Sequence, residues 1–427
     1  MTIKRNKLWN YLDNNDLKYL KYLKYTLDSH IYYFGNHYTS HFEKNNTFLK
    51  KIKINCIDFI ICGSVIINSI FSKKSKKNFI LSTAYYLGNK NIEGNFIITR
   101  PPWTPGLKNV YFNDFKFFLR TKAIKDKINN WNFNQLIDLT FQSEIEEYKS
   151  YLKSYIIENN VKAIFLNNSM GFFEKLAIDI FKELKLPSFE FIHGLPGIYN
   201  DYVFGSTDYL VVWGNAIKIN FEKYGIPSEK ILISGHPLYH NINIEKLKFS
   251  CEDILIMPKV YPAAPMSDEN IMSDRSEIIF YLLTIQKSLK KLGISKARLR
   301  PHPSQNSDWL FKFIDNNFFS LDSATLSDSL NRSTLVIGPT SSIFLESLIY
   351  GVNYIVYEPL IKEDTSLGGY KLVPPFDGKN KKVPIAHSEK ELIEIISNKI
   401  TNDASIIDDY IAPKFSLDSI INQIDQS

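Results

Sequence analysis

Short apolar runs alternate with amphipathic stretches along most of this chain. The first ~50 residues are Tyr- and Lys-rich, with "LKYLKYLKYTL" at helical spacing. "KAIFLNN" (162–168) then reads as a buried strand. "GFFEKLAIDIFKELK" reads as a helix, because Phe172, Leu176, Ile180 and Leu184 fall on one face. "PSFEFIHG" (187–194) is a second strand that breaks at Gly194. "DYLVVWG" (208–214) and "KILISGHP" (230–237) follow, separated by the helix "NAIKINFEKYG". After residues 241–250 the pattern begins afresh. "EDILIMP" (252–258), "ARLRPHP", "TLVIGP" (334–339) and "NYIVYEP" read as strands. Between them lie the helix "SEIIFYLLTIQKSLKKLG", closed by Gly293, a helical "DWLFKFI" and a helix over 341–350.

Strands that alternate with helices predict an α/β fold with parallel sheets covered by helices on both faces. Two such series predict two Rossmann-like domains facing each other across a cleft. One spans residues 1–240 and the other 251–400, with a C-terminal helical segment, 401–427, broken at Pro413 and able to cross back onto the first domain. The length of 427 residues also favours two cores over one.

Composition narrows the function. Hydrophobic residues at 44% and charged residues at 22% describe a folded chain without long disorder. The net charge of +6 is modest. Lysines gather near 72–78 and in 115–128, where a solvated face is the ordinary reading and a surface on anionic lipid or an anionic acceptor is the alternative. No nucleic-acid-binding motif accompanies them, so no nucleic acid partner is expected. Cys56, Cys62 and Cys251 are too few and too scattered for a disulfide framework or a zinc site. The start of the chain lacks the apolar stretch of a secretion signal. No apolar run reaches the ~18–20 residues of a membrane span. The 57–71 run reads as a buried strand or helix. A cytoplasmic protein is expected, with peripheral contact on the inner membrane face as an option.

In open parallel sheets ligands sit beyond the carboxyl ends of the strands, and every candidate residue follows a predicted strand. Thr340, Ser341 and Ser342 head an apolar helix after Gly338-Pro339. Helix N–H groups and hydroxyls together make a phosphate site, whereas one hydroxyl suffices for a plain N-cap. Glu346 in that helix is placed either for a ribose hydroxyl or for solvent. Arg300-Pro301-His302-Pro303 stiffens a strand exit, presenting His302 to a leaving phosphate or leaving it an inert loop histidine. Arg300 either supports that charge or pairs with a surface carboxylate. Lys259 is set for a phosphate or for solvent. His193 beside Gly194 suits a general base at neutral pH, against a structural turn as the alternative. His236 in "SGHPLY" fits a hinge or ligand-lining role better than catalysis. Glu93 in "NIEGNF" is explained by a turn, and "RPPWTPG" (100–106) reads as a rigid loop with an acceptor-contacting lid as the functional option. There is no Walker loop, GxGxxG or HExxH, and no metal or other cofactor is expected.

The ordered set of a strand-end "HG", "RPHP" and a "TSS" helix cap resembles GT-B glycosyltransferases of bacterial surface polysaccharides. It is similar to the CMP-sugar transferases for sialic acid, polysialic acid and Kdo, and also to the CDP-glycerol glycerophosphotransferases of teichoic acid. The resemblance covers about residues 187–360. It implies an acceptor-side N-terminal domain and a nucleotide-sugar-binding C-terminal domain. It further implies that His302, Ser341 and Ser342 hold the nucleotide phosphate while His193 deprotonates the acceptor, an oligosaccharide or lipid-linked glycan. Bacterial sialyltransferases generally carry an acidic pair before the glycine, where this chain has Ile192-His193, which puts an aspartate base in doubt. The expected activity is inverting, metal-independent transfer of a sialic-acid-like or Kdo sugar from its CMP donor. A CDP-glycerol or UDP-sugar transferase, a UDP-sugar epimerase and a non-catalytic carbohydrate-binding protein are the alternatives.

Overall fold

The computed structural model describes most of residues 10–33, 56 and 59–67, most of 78–104, then 115–199, 204–240, most of 244–258, 275–302, 310–362, 365–366 and 371–426. Two six-stranded sheets organise the chain. The first takes β1 (Asn78–Ser82), β2 (Phe96–Thr99), β3 (Val161–Leu166), β4 (Ser188–Phe191), β5 (Tyr209–Val212) and β6 (Ile231–Ile233), in the order β2-β1-β3-β4-β5-β6. The second takes β7 (Ile254–Ile256), β8 (Ala297–Leu299), β9 (Phe319–Leu321), β10 (Leu335–Gly338), β11 (Tyr354–Tyr357) and β14 (Ile385–Ala386), in the order β14-β11-β10-β7-β8-β9. Every pairing within both sheets is parallel. The antiparallel hairpin β12 (Leu360–Lys362) and β13 (Thr365–Ser366) stands apart. This is the two-domain, Rossmann-like α/β architecture expected from the pattern.

The strands are parallel because both faces are apolar and both are covered. In β3, Ile164 and Leu166 point into a cluster with helices α1 (Leu20–Tyr33), α2 (Phe115–Asn130), α3 (Leu139–Glu158) and α4 (Phe172–Glu183). Ala163 and Phe165 point the other way, to Leu417, Ile420 and Ile424. β7 and β10 divide the same way: Leu255 and Val336 face one core, Ile254, Ile256 and Ile337 the other.

Two devices join the sheets. A single apolar cluster unites Ile192, Leu210, Val212, Trp213 and Phe221 of the first domain with Leu255, Val336, Phe344 and Leu345 of the second. The chain end then returns to the first sheet. Ala412 N–H donates to Trp213 O at 2.8 Å, Ser416 N–H donates to Ser234 O at 2.9 Å, and the helix Asp418–Asp425 packs its apolar face on Ile80 and Phe189. Gly214 and Gly235 permit this approach. A Cβ on Gly214 would lie 2.4 Å from the Tyr410 carbonyl carbon, and one on Gly235 would lie 2.3 Å from Lys414 O.

Three features differ from the sequence reading or refine it. The 59–67 segment is helical and only half-covered, with Ile61 and Val65 buried on one stripe and Phe59 80% exposed. Trp103 of "RPPWTPG" is no lid. It is 2% exposed, stacked on Phe173, and donates Nε1–H to Glu174 at 3.0 Å. An indole needs both apolar cover and an acceptor, and helix α4 supplies both. In 115–128 two of the cations meet acids of helix α3, Lys127 with Glu144 and Arg120 with Glu147, and Lys125 donates to the Trp103 backbone oxygen at 2.8 Å. Among the described residues, no helix is long and apolar enough to cross a membrane.

Candidate functional site

The candidate residues sit on the carboxyl edges of the two sheets. His193 and Gly194 follow β4, His236 follows β6, Arg300 and His302 follow β8, and Thr340–Ser342 follow β10. Lys259 and Glu93 lie outside the described residues.

His193 is held in one tautomer. Its Nδ1 stands 2.9 Å from the backbone oxygen of Asn167, at the exit of neighbouring strand β3. A carbonyl oxygen only accepts, so Nδ1 carries the proton and Nε2 of the neutral ring carries the lone pair. That is the form a general base needs. Gly194 places this loop against the second domain, since a Cβ built on it would lie 3.2 Å from Ser342 Oγ. A small cavity of about 40 Å³ continues the junction, lined by Leu195, Pro196 and Gly197 on one side and Thr340, Ser341 and Lys371 on the other.

The 338–342 turn is fixed from below by β11. A Cβ on Gly338 would lie 2.1 Å from the hydroxyl of Tyr354, which donates to Pro339 O at 2.7 Å. Thr340 donates both its N–H and its hydroxyl to the fully buried Glu358 carboxylate, each at 3.2 Å. Thr340 is therefore tied into the fold from below while still lining that cavity. Ser341 Oγ accepts the Ile343 N–H at 3.4 Å, and Ser342 is the helix N-cap residue without a side-chain cap bond.

Arg300 also turns inward. Its Nη1 donates to Ala324 O at 2.7 Å, Ser329 Oγ at 3.2 Å and Asp322 Oδ1 at 3.3 Å. Burial alone would raise the Asp322 carboxyl, but the Ser329 hydroxyl and the surrounding arginines outweigh it and hold it at about 2. Of the two readings open for Arg300, the structure shows the ion pair, and the carboxylate is buried where a surface one was expected. His302 lies at the surface, close enough to its neighbours that partial desolvation pulls its imidazole below the ordinary value. β7 lies between β8 and β10, so those strand ends stand about 10 Å apart. Glu346 accepts the Tyr239 hydroxyl at 3.1 Å, tying the segment after β6 to the second domain, and burial raises its carboxyl.

His236 is buried as a neutral ring. Its Nδ1 accepts the N–H groups of Leu238 and Tyr239 at 3.1 and 3.2 Å, and the ring packs between Trp213 and Tyr239. Burial, with His240 adding to it, pulls its pKa down to about 4. The unfolded chain takes up a proton near 6.5 that the folded ring refuses until about 4, so stability falls as pH drops through that window. His236→Asn keeps an acceptor for both N–H groups and removes the titration. Chemical denaturation from pH 7 to 4 is expected to show wild type losing on the order of 3 kcal/mol more than the variant. Parallel curves would contradict this.

The sequence reading passed over three residues here. Glu190 is 2% exposed in the middle of β4, and burial pushes its carboxyl up to about 7, with Ser169 opposing. Its signal was present, since a lone acid inside the apolar run "SFEF" needs a reason. Glu358 carried the same signal in "YIVYEP". Lys371 had none, because only the fold brings it beside Ser341.

No family model and no curated protein matches the chain. Among solved structures it is similar to the UDP-GlcNAc 2-epimerase of Methanocaldococcus jannaschii, at 11% identity and a TM-score of 0.46, over 82% of this chain and 99% of that one. It is similar to the UDP-GlcNAc 2-epimerase of Neisseria meningitidis, at 14% identity and a TM-score of 0.43, over 83% and 100%. It is similar also to the wall teichoic acid polymerase TagF, at 13% identity and a TM-score of 0.40, over 90% and 99%. At these identities and scores no residue role is carried over.

Proposed function

We propose that this protein is an inverting, metal-independent glycosyltransferase that moves a sialic-acid-like or Kdo sugar from its CMP donor to a bacterial surface-glycan acceptor. The observation that carries the reading is His193, whose Nδ1 faces the Asn167 carbonyl oxygen at 2.9 Å on a loop that meets Ser342 across the two domains. The ordered "HG", "RPHP" and "TSS" motifs supply the substrate class by resemblance. His193 Nε2 takes the proton from an acceptor hydroxyl. The acceptor oxygen attacks the anomeric carbon in line, the bond from that carbon to the phosphate oxygen breaks, and its electron pair leaves with CMP. Ser341, Ser342 and His302 take up that charge with donors already in place. Lys371 adds a cation at the cavity rim, a role the reading gives it through its place beside Ser341.

Incubation with a panel of nucleotide sugars and pooled oligosaccharide acceptors, followed by mass spectrometry, tests this. A product heavier by one acidic sugar, formed from CMP donors in the presence of EDTA, is expected. Transfer from CDP-glycerol or a UDP-sugar alone would move the donor assignment to those classes, and turnover of a UDP-sugar without acceptor would replace transfer with epimerisation.

A further inference from the structure

The carbonyl that fixes His193 belongs to a loop. Asn167 lies just beyond β3, outside the ladder that β3 forms with β4, so something else must hold its oxygen in place. One anchor is Thr83, whose hydroxyl accepts the Asn167 N–H at 3.3 Å. The other end of the turn is Ser169, which lies against the carboxyl of Glu190 and, through its backbone and hydroxyl, opposes the rise that burial gives that group. Glu190 sits mid-sheet, paired in register with Leu166 of β3 and Leu210 of β5, three residues before His193 on its own chain.

This is an expensive arrangement for a strand core. Glu190 is 2% exposed, and its Oε2 has no hydrogen-bond partner. Its register partners on the same face, Leu166 and Leu210, show what such a position ordinarily holds. Desolvation holds its carboxyl near 7, a cost the fold would avoid with any apolar residue of similar size. A half-satisfied buried acid next to a candidate base calls for a role beyond packing.

We propose that Glu190 is a positioning residue for His193: by gripping Ser169 it fixes the 167–169 turn, and through the Asn167 oxygen it sets the tautomer and orientation of the imidazole. This rests on His193 being the acceptor base, but the coupling itself is a property of the fold and is measurable without any substrate. Released from Asn167, the ring would adopt the mixture dominated by Nε2–H that free imidazole prefers, placing a proton where the base must accept one.

The long-range 1H–15N spectrum of the imidazoles in the full chain tests this, with His193→Ala assigning the His193 signals. Wild type is expected as Nδ1–H. In Glu190→Ala the Nε2–H form should grow in. Glu190→Gln, whose amide oxygen can still accept from Ser169, should recover most of the wild-type signal, and Ser169→Ala should shift the ring in the same direction by less. If the alanine variant does not fold, the last two variants carry the test. With a working transfer assay, kcat of Glu190→Ala should fall about 10–100-fold, with the donor KM changed no more than about twofold. Unchanged tautomer and kcat in folded Glu190 and Ser169 variants would overturn the inference. A tautomer shift in a protein that transfers nothing would leave the positioning intact and discard the proposed reaction.

Discussion

His193→Ala is expected to lower kcat for sugar transfer by about 10²–10⁴-fold, the range for losing a positioned general base. Donor binding should be nearly unchanged, because the nucleotide is assigned to donors on the second domain. His193→Gln should fare no better, since an amide oxygen of nearly the same reach accepts hydrogen bonds but is not basic. The expected pattern is a collapse of kcat with little change in KM, in steady-state assays monitoring CMP release. A variant that keeps its kcat would remove His193 from the chemistry and leave it a turn residue.

Gly235→Ala is expected to be the most damaging of the small backbone changes. Gly235 has φ +77°, and an added Cβ would meet Lys414 O at 2.3 Å, a backbone atom that cannot swing aside. Left-handed strain and overpacking together should cost about 2–5 kcal/mol. The damage should centre on the return of the chain end, because Ser416 N–H bonds Ser234 O in the same place. Gly225→Ala is the matched control: φ is +99°, but nothing stands within 4 Å of its added Cβ, so only the strain of about 1–2 kcal/mol remains. Urea unfolding midpoints should rank wild type, Gly225→Ala, then Gly235→Ala, and limited proteolysis should release the C-terminal segment first from the last. Equal losses in the two variants would mean that the close approach does not hold the domains together.

The alternation of strands and helices was legible because a buried parallel strand and an amphipathic helix leave different periods, as "KAIFLNN" and the Phe172–Leu184 stripe do. β1 and β2 were harder to place, since "NFILS" and "FIIT" are short runs amid Lys- and Asn-rich sequence. Strand ends carrying His193, His302 and Ser341 were visible as breaks after apolar runs. What those residues touch was not. Arg300 looked available until the fold brought Asp322, which follows the neighbouring strand β9, within reach. Thr340 looked like one of three equivalent hydroxyls until β11 placed Glu358 beneath it. Trp103 read as part of a rigid loop because three prolines and a glycine surround it, yet the partner that takes its N–H lies 71 residues on, at Glu174. Local pattern reports which way the chain runs; the neighbours across a parallel sheet arrive from a full crossover away.

On the proposed function, the junction between the "HG" loop and the Ser341–Ser342 turn holds the phosphate of a cytidine nucleotide. Calorimetric titration of CMP into wild type and into a Ser341→Ala/Ser342→Ala double variant measures this directly. Saturable one-site binding of CMP to wild type is expected, with UDP failing to match it. In the double variant the affinity should be at least about tenfold weaker, as loss of charge-assisted hydrogen bonds implies. Absence of CMP binding, or binding that the double substitution leaves unchanged, would contradict it.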